Sequence, residues 1–337
     1  MDIKEILFKL SDACAIGTVH DATDIAQDML SQYAPVTRLD GNSMYCELKG
    51  EKDYTILLEA HIDEVGFIVT NISDDGFLTV QKCGGIDLRH LPAKVVTVHG
   101  KENIPAVFVS TPPHLDKGEE MPDNIAKYKL DTGLGAAAKE KIQLGDYVTY
   151  RKKAHSLLGD AVCGKSFDNR AGVTCLIELI SRLSGKKLPC NVAFLLSDAE
   201  ELGLRGATTA AFGIKADEAV AIDVSFGDGP DIPSEQCGKI GDGTMIGVSP
   251  ILNRTITDKL IATAKNNNFK YQTEVMGATT STDADVISIT KSGIPTGLVS
   301  IPLRNMHTDV EMLRICDIEN VCGILENYVL SGGVTLD

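Results

Sequence analysis

An unbroken apolar run, Val192-Ala193-Phe194-Leu195-Leu196, constrains the fold more than any other feature. It is too short for a helix with one buried face and has no polar alternation, which is the pattern of a strand covered on both sides. Helices surround it in the sequence. Val173, Leu176, Ile177 and Ile180 follow helical spacing and predict a helix over 169–183, with further helices over 202–212, 257–267 and 284–292. Strands are expected over 219–224 and 298–301. Such alternation implies an α/β fold with a mostly parallel central sheet flanked by helices. The same pattern opens the chain. An amphipathic helix around Ile6, Leu7 and Leu10, a loop at Gly17 and a helix over 22–33 lead into a strand over 55–58.

Between these stretches the texture differs. Short β-branched runs at 67–70, 77–80, 95–98, 107–109 and 147–149 are separated by Gly, Pro and Asp turns, as in a small β-barrel or sandwich. The expected organisation is one α/β domain built from residues 1–65 and 163–337, with a β domain of residues 66–162 inserted into it. Residues 111–123, with Pro112, Pro113, Gly118 and Pro122, are expected to form a surface loop of the insert. Charge divides the same way. The insert carries 12 basic and 12 acidic side chains, so the net charge of −15 belongs to the flanks, with 20 basic and 35 acidic.

That acidity excludes nucleic acid and anionic membrane as partners, because phosphate binding needs clustered Lys and Arg. No apolar run approaches the ~18 residues of a membrane span. The first residues, from Met1 to Lys9, interrupt their apolar positions with charge and so lack the core of a signal peptide. Nine cysteines without a Cys-x-x-Cys pair suit a reducing cytoplasm, where they act as small buried hydrophobes.

The polar residues at strand ends carry the functional reading. His61 and Asp63 follow the strand at 55–58, Glu200 and Glu201 follow 192–196, Asp223 ends its strand, and His307 follows 298–301. Asp168 sits where a helix begins. Ligands of open α/β sheets bind beyond the carboxyl ends of strands. Singly, each residue has an ordinary structural reading: a paired buried imidazole, a helix-start acid at the dipole, an N-cap. Together, two imidazoles and several carboxylates suit a divalent ion such as Zn²⁺ or Co²⁺, which accepts N and O donors. Without a cation such a cluster suffers like-charge repulsion.

Five segments occur in a familiar order. They are Glu59-Ala60-His61-Ile62-Asp63-Glu64-Val65-Gly66-Phe67, Lys165-Ser166-Phe167-Asp168-Asn169-Arg170, Asp198-Ala199-Glu200-Glu201-Leu202-Gly203-Leu204-Arg205-Gly206-Ala207, Ala221-Ile222-Asp223-Val224 and Met306-His307. The insert adds Thr111-Pro112-Pro113-His114-Leu115 and Gly145-Asp146-Tyr147-Val148. In these the chain resembles the dinuclear metallo-aminopeptidases that assemble as tetrahedral dodecamers, the glutamyl or deblocking aminopeptidase family, some of whose members carry an endoglucanase label. The resemblance implies a zinc-peptidase-like catalytic domain and a small β-barrel or PDZ-like insert that makes dimer contacts and covers the active site.

By the same resemblance Asp168 bridges two divalent metal ions, zinc or cobalt. His61 and Asp223 complete one site, Glu201 and His307 the other, and Glu200 is the general base acting on a bridging water. Asp63 is implied to accept the second N–H of His61, and a cis peptide is implied after Asp168. Substrates would be peptides with a free N-terminus, and the assembly a homo-oligomer of dimers forming a dodecamer. Thr282-Asp283 resembles a family motif near the substrate pocket. Two stretches depart from the family pattern: Ile16-Gly17-Thr18-Val19-His20 near the start, and Thr308-Asp309 after the last ligand histidine. Neither removes a ligand; the second alters the pocket wall.

Two other readings compete. A glycosidase needs two carboxyls ~5–9.5 Å apart across a bond, which the neighbours Glu200 and Glu201 are badly placed to supply, and the chain has no Trp for stacking sugars. A non-enzymatic assembly or peptide-binding protein with a degenerate site would be expected to have lost ligands, and all are present.

Overall fold

The computed structural model describes residues 2–39, 41–115, 123–230 and 232–334. Among them is an eight-stranded sheet in the order Thr37–Arg38, Met44–Leu48, Cys190–Ser197, Lys52–His61, Glu218–Phe226, Thr296–Leu303, Thr244–Val248 and Tyr271–Val275. The four strands from Cys190–Ser197 to Thr296–Leu303 run parallel. Met44–Leu48 and Thr244–Val248 join them antiparallel. The sheet is mostly parallel at its centre, as the alternation of elements implies.

Helices roof both faces, which is why the central strands are apolar throughout. On one face Ile56, Leu58, Val192 and Leu196 pack against Leu7, Leu10, Leu176, Ile180, Leu260 and Ile324 from helices Ile3–Asp12, Phe167–Leu183, Arg254–Asn266 and Ile315–Leu330. On the other, Leu57, Ala193, Leu195 and Ala219 meet Ala207, Ala210 and Ala211 of helix Arg205–Gly213 and Ile287 of helix Ala284–Ile289. No helix of the described residues is long and apolar enough to cross a membrane.

Glu218 ties the final residues to this core. Its buried carboxylate accepts hydrogen bonds from Tyr54 Oη (2.9 Å), Tyr328 Oη (3.0 Å) and the Val334 N–H (3.1 Å). A carboxylate withdrawn from water needs such donors. Tyr328→Phe removes one of them and is expected to cost about 1.5–3 kcal/mol. A urea titration reads this as a lower midpoint, and an unchanged midpoint would show that the bond contributes nothing.

Between His61 and Ala161 the chain forms a closed barrel, ordered Gly66–Ile72, Leu78–Cys83, Leu130–Asp131, Asn103–Phe108, Val95–His99 and Tyr147–Tyr150. Alternate residues fill it, including Val96, Val98, Ile104, Ala106 and Phe108. Phe67 meets Phe108 edge-on at 5.2 Å and Tyr150 at 6.0 Å. Of the surface loop expected at 111–123, residues 116–122 lie outside the described residues. The chain returns through Ala161–Gly164, which pairs antiparallel with Glu311–Arg314.

Several elements differ from the sequence expectation near the strand ends. The strand expected at 55–58 runs to His61, and Asp223 lies inside Glu218–Phe226 rather than at its end. The helix expected from residue 202 begins at Arg205. Gly203 and Leu204 take positive φ values of 102° and 59°, and both N–H groups bond the Glu200 carbonyl, which closes a turn instead. The helix expected at 169–183 begins at Phe167, with Asp168 and Asn169 in non-helical geometry.

Candidate metal centre

Neighbouring strands deliver the first donors. Ala221 is in register with Glu59, so two residues further on Asp223 stands level with His61. On the opposite side of His61 the partner is Ser197, whose strand leads into Glu200 and Glu201. Asp168 is brought in by Asn169, whose Nδ2 donates to the Ile222 carbonyl (2.7 Å) while its Oδ1 accepts the Gly172 N–H (3.0 Å). The kink is thereby pinned to the strand of Asp223. The Asp168–Asn169 peptide bond is cis.

The side chains converge on Asp168. One of its oxygens lies 3.2 Å from His61 Nε2, and the other lies 3.2 Å from His307 Nε2. Glu201 Oε1 is 3.2 Å from the same His307 nitrogen. Asp223 and Glu200 each place an oxygen 3.8 Å from His61 Nε2. His61, Asp168 and Glu201 offer donor atoms within 4.8 Å of one another.

Orientation comes from different sources at the two imidazoles. His307 Nδ1 donates to the Gly85 carbonyl of the barrel (2.6 Å), which turns Nε2 toward Asp168 and Glu201. At His61 the expected bond to Asp63 is stretched: Nδ1 lies 3.4 Å from Oδ1 and has no hydrogen-bond partner. Asp63 instead accepts the backbone N–H groups of Glu200 (3.0 Å) and Glu201 (3.3 Å). It holds the turn that carries both glutamates.

The electrostatics fit a cation. Burial pushes Glu200 up to about 8, with His61 opposing and Glu201 adding to the shift. Burial likewise raises Glu201 and Asp223. At Asp168 burial acts upward too, but hydrogen bonds from His307 and His61 outweigh it and hold the carboxyl below the usual range. His307 is raised to about 11 despite burial, by Asp168 and Glu201. Protons on imidazoles and carboxyls thus offset the crowded negative charge, and divalent ions with N and O ligands would take their place.

Residues 41–324 match the family described as M42 glutamyl aminopeptidase. The chain belongs to this family. A lysyl aminopeptidase of Pyrococcus furiosus is 28% identical over 88% of this chain and 87% of its own length. Among solved structures, a TET aminopeptidase from a marine sediment archaeon, Thaumarchaeota archaeon SCGC AB-539-E09, superposes with a TM-score of 0.93 at 28% identity, covering 98% of this chain and 97% of that one. The Pyrococcus horikoshii TET1 peptidase, described as assembling into a tetrahedron or a large octahedral shell, gives 0.87 at 29% identity, covering 98% and 99%.

Around this cluster stand further buried charges, and to some of them, Glu64 included, the sequence reading gave no role. Glu64 is buried and accepts from Lys165 Nζ (2.7 Å), Ser166 Oγ (2.7 Å), Arg170 Nη2 (3.3 Å) and the Ala15 N–H (3.0 Å), bracing the segment on both sides of Asp168. Removing one partner of such a pair strands a buried charge. Behind His61 the Ser197 hydroxyl lies between Glu59 Oε1 (2.7 Å) and Asp283 Oδ2 (2.5 Å). One hydroxyl has one hydrogen, so Ser197 donates to one carboxyl at a time. Burial and Asp283 raise Glu59 well above its ordinary value. Asp309, one of the two departures, pairs with Lys94 of the barrel.

Proposed function

We propose that this M42 protein is a dinuclear metal-dependent aminopeptidase with Glu200 as its general base. The observation that carries the reading is the split carboxylate of Asp168, with one oxygen 3.2 Å from each imidazole. His61, Asp223 and Asp168 would hold one ion, and His307, Glu201 and Asp168 the other. Bound there, zinc or cobalt supplies Lewis acidity toward the scissile carbonyl and lowers the pKa of a water at neutral pH.

The chain's own groups do the rest. Asp63 fixes the Glu200 backbone, so that its carboxylate faces the cluster without bridging it. Glu200 takes the water's proton and returns it to the leaving amine. The Gly85 carbonyl keeps His307 in the tautomer that coordination needs. The barrel, residues 66–162, serves as cover of the site and as dimer contact, with dimers assembling into a dodecamer in the cytoplasm. The resemblance to the P. horikoshii assembly supports that oligomer, and light scattering well above the 36.1 kDa monomer is its expected signature.

The test is reconstitution. Protein stripped by a chelator should hydrolyse no aminoacyl chromogenic substrate, and Zn²⁺ or Co²⁺ should restore turnover as occupancy approaches about two ions per subunit. Hydrolysis that survives complete metal removal would overturn the proposal. The same screen across acidic, apolar and basic substrates identifies the residue removed.

A further inference from the structure

Glu311 stands outside every ligand set named so far. It opens the strand Glu311–Arg314, opposite Gly164 of the strand that leads into Asp168. Its side chain is 1% exposed and turned toward the centre. Oε2 accepts the backbone N–H of Asp168 at 3.1 Å, and Oε1 accepts the backbone N–H of His307 at 2.8 Å. One planar group thereby links the main chains of two residues whose side chains meet at 3.2 Å.

Both bonds are specific to a carboxylate. Each oxygen faces an N–H, so a glutamine in the same place would turn its NH₂ toward one of them, donor against donor. The arrangement is also costly. Burial and nearby Asp168 both oppose charge on Glu311, and a group of this kind stays buried only where its bonds are made. His307 needs the support, because its φ of 61° is one that non-glycine residues seldom adopt. Gly85 orients its ring from the barrel side, and Glu311 fixes its backbone from the sheet side.

We propose that Glu311 is a positioning residue for the metal ion held by His307, Glu201 and Asp168: it sets the distance between the Asp168 and His307 main chains and so the spacing of their donor atoms. The inference rests on the dinuclear reading above. Its consequence falls mainly on one ion, because Glu311 bonds the main chains of Asp168, which the two ions would share, and of His307, which would serve only one.

Chelated wild-type protein, Glu311→Gln and Glu311→Ala would be titrated with Co²⁺ alone, following uptake by calorimetry and the cobalt absorption bands. Far-UV circular dichroism of the metal-free forms reports folding. The expected result is that wild type takes up two ions, while both variants bind the second about 10–100-fold more weakly. Where Glu311→Ala fails to fold, Glu311→Gln decides. Variants that bind both ions with wild-type affinity would overturn the inference and leave the dinuclear reading standing. Metal-free Glu311→Gln that is unfolded would also overturn it, by making the role one of general stability. A wild type that binds no cobalt would sink both.

Discussion

Glu200→Gln is expected to lower kcat by about 10²–10⁴-fold, with metal content near that of the unaltered protein. The glutamate backbone is held by Asp63, which an amide side chain at position 200 leaves untouched. Its carboxylate lies 3.8 Å from His61 Nε2, further than the 3.2 Å that separates either imidazole from Asp168. Glutamine fills the same space and has no proton-accepting carboxylate. It also removes a negative charge from a site where Glu201, Asp168 and Glu200 repel one another, so the ligands should hold their places. The loss belongs in kcat, with KM little changed, because proton transfer matters in the transition state more than in binding. Turnover within about tenfold of wild type would remove Glu200 from the role.

Asp168→Ala should produce the opposite pairing of effects. Among the described residues it removes the one carboxylate that lies 3.2 Å from both imidazoles, so metal affinity at both positions is expected to fall by at least about 100-fold, and turnover with it. The fold should persist. Asn169 keeps its own bonds to Ile222 and Gly172, and Glu64 still braces Lys165 and Arg170. Atomic absorption on dialysed protein makes the measurement, with circular dichroism as the control. A folded Asp168→Ala protein that retains two ions would refute the bridging role. Asp168→Asn is a useful comparison, since its one carbonyl oxygen can serve a single ion.

The sequence carried the parallel sheet, the barrel and the imidazoles and carboxylates of the cluster because each leaves a mark in side-chain type. Val192 to Leu196 is apolar throughout because helices cover both faces of its strand. His61 was legible because open α/β sheets bind ligands at the carboxyl ends of their strands, and Asp223 stands level with it on the neighbouring strand. Other features leave no such mark. The Gly85 carbonyl that orients His307 is a backbone group, and every residue has one. Glu311 is a polar residue in a strand of four, indistinguishable by pattern from an exposed turn. Glu64 and Arg170 read as ordinary charges within their motifs until tertiary contact buries them together. Tyr271–Val275 lies on the sheet edge and mixes Gln, Thr and Glu with its apolar residues, which hides it. The turn at Leu204 was missed because a leucine with positive φ is contrary to its local preference.

The order of the donors along the chain has a consequence for synthesis. His61 emerges before the barrel, Asp168, Glu201 and Asp223 after it, and His307 only a short way ahead of the last helix, Ile315–Leu330. The Gly85 carbonyl must already be docked to orient that final imidazole, and the strand Glu311–Arg314 must pair with Ala161–Gly164 to bring its carboxylate underneath. No fragment ending before His307 contains the complete donor set. A growing chain of this protein therefore lacks the donor set that the proposed activity requires until His307 has been made and docked against the barrel.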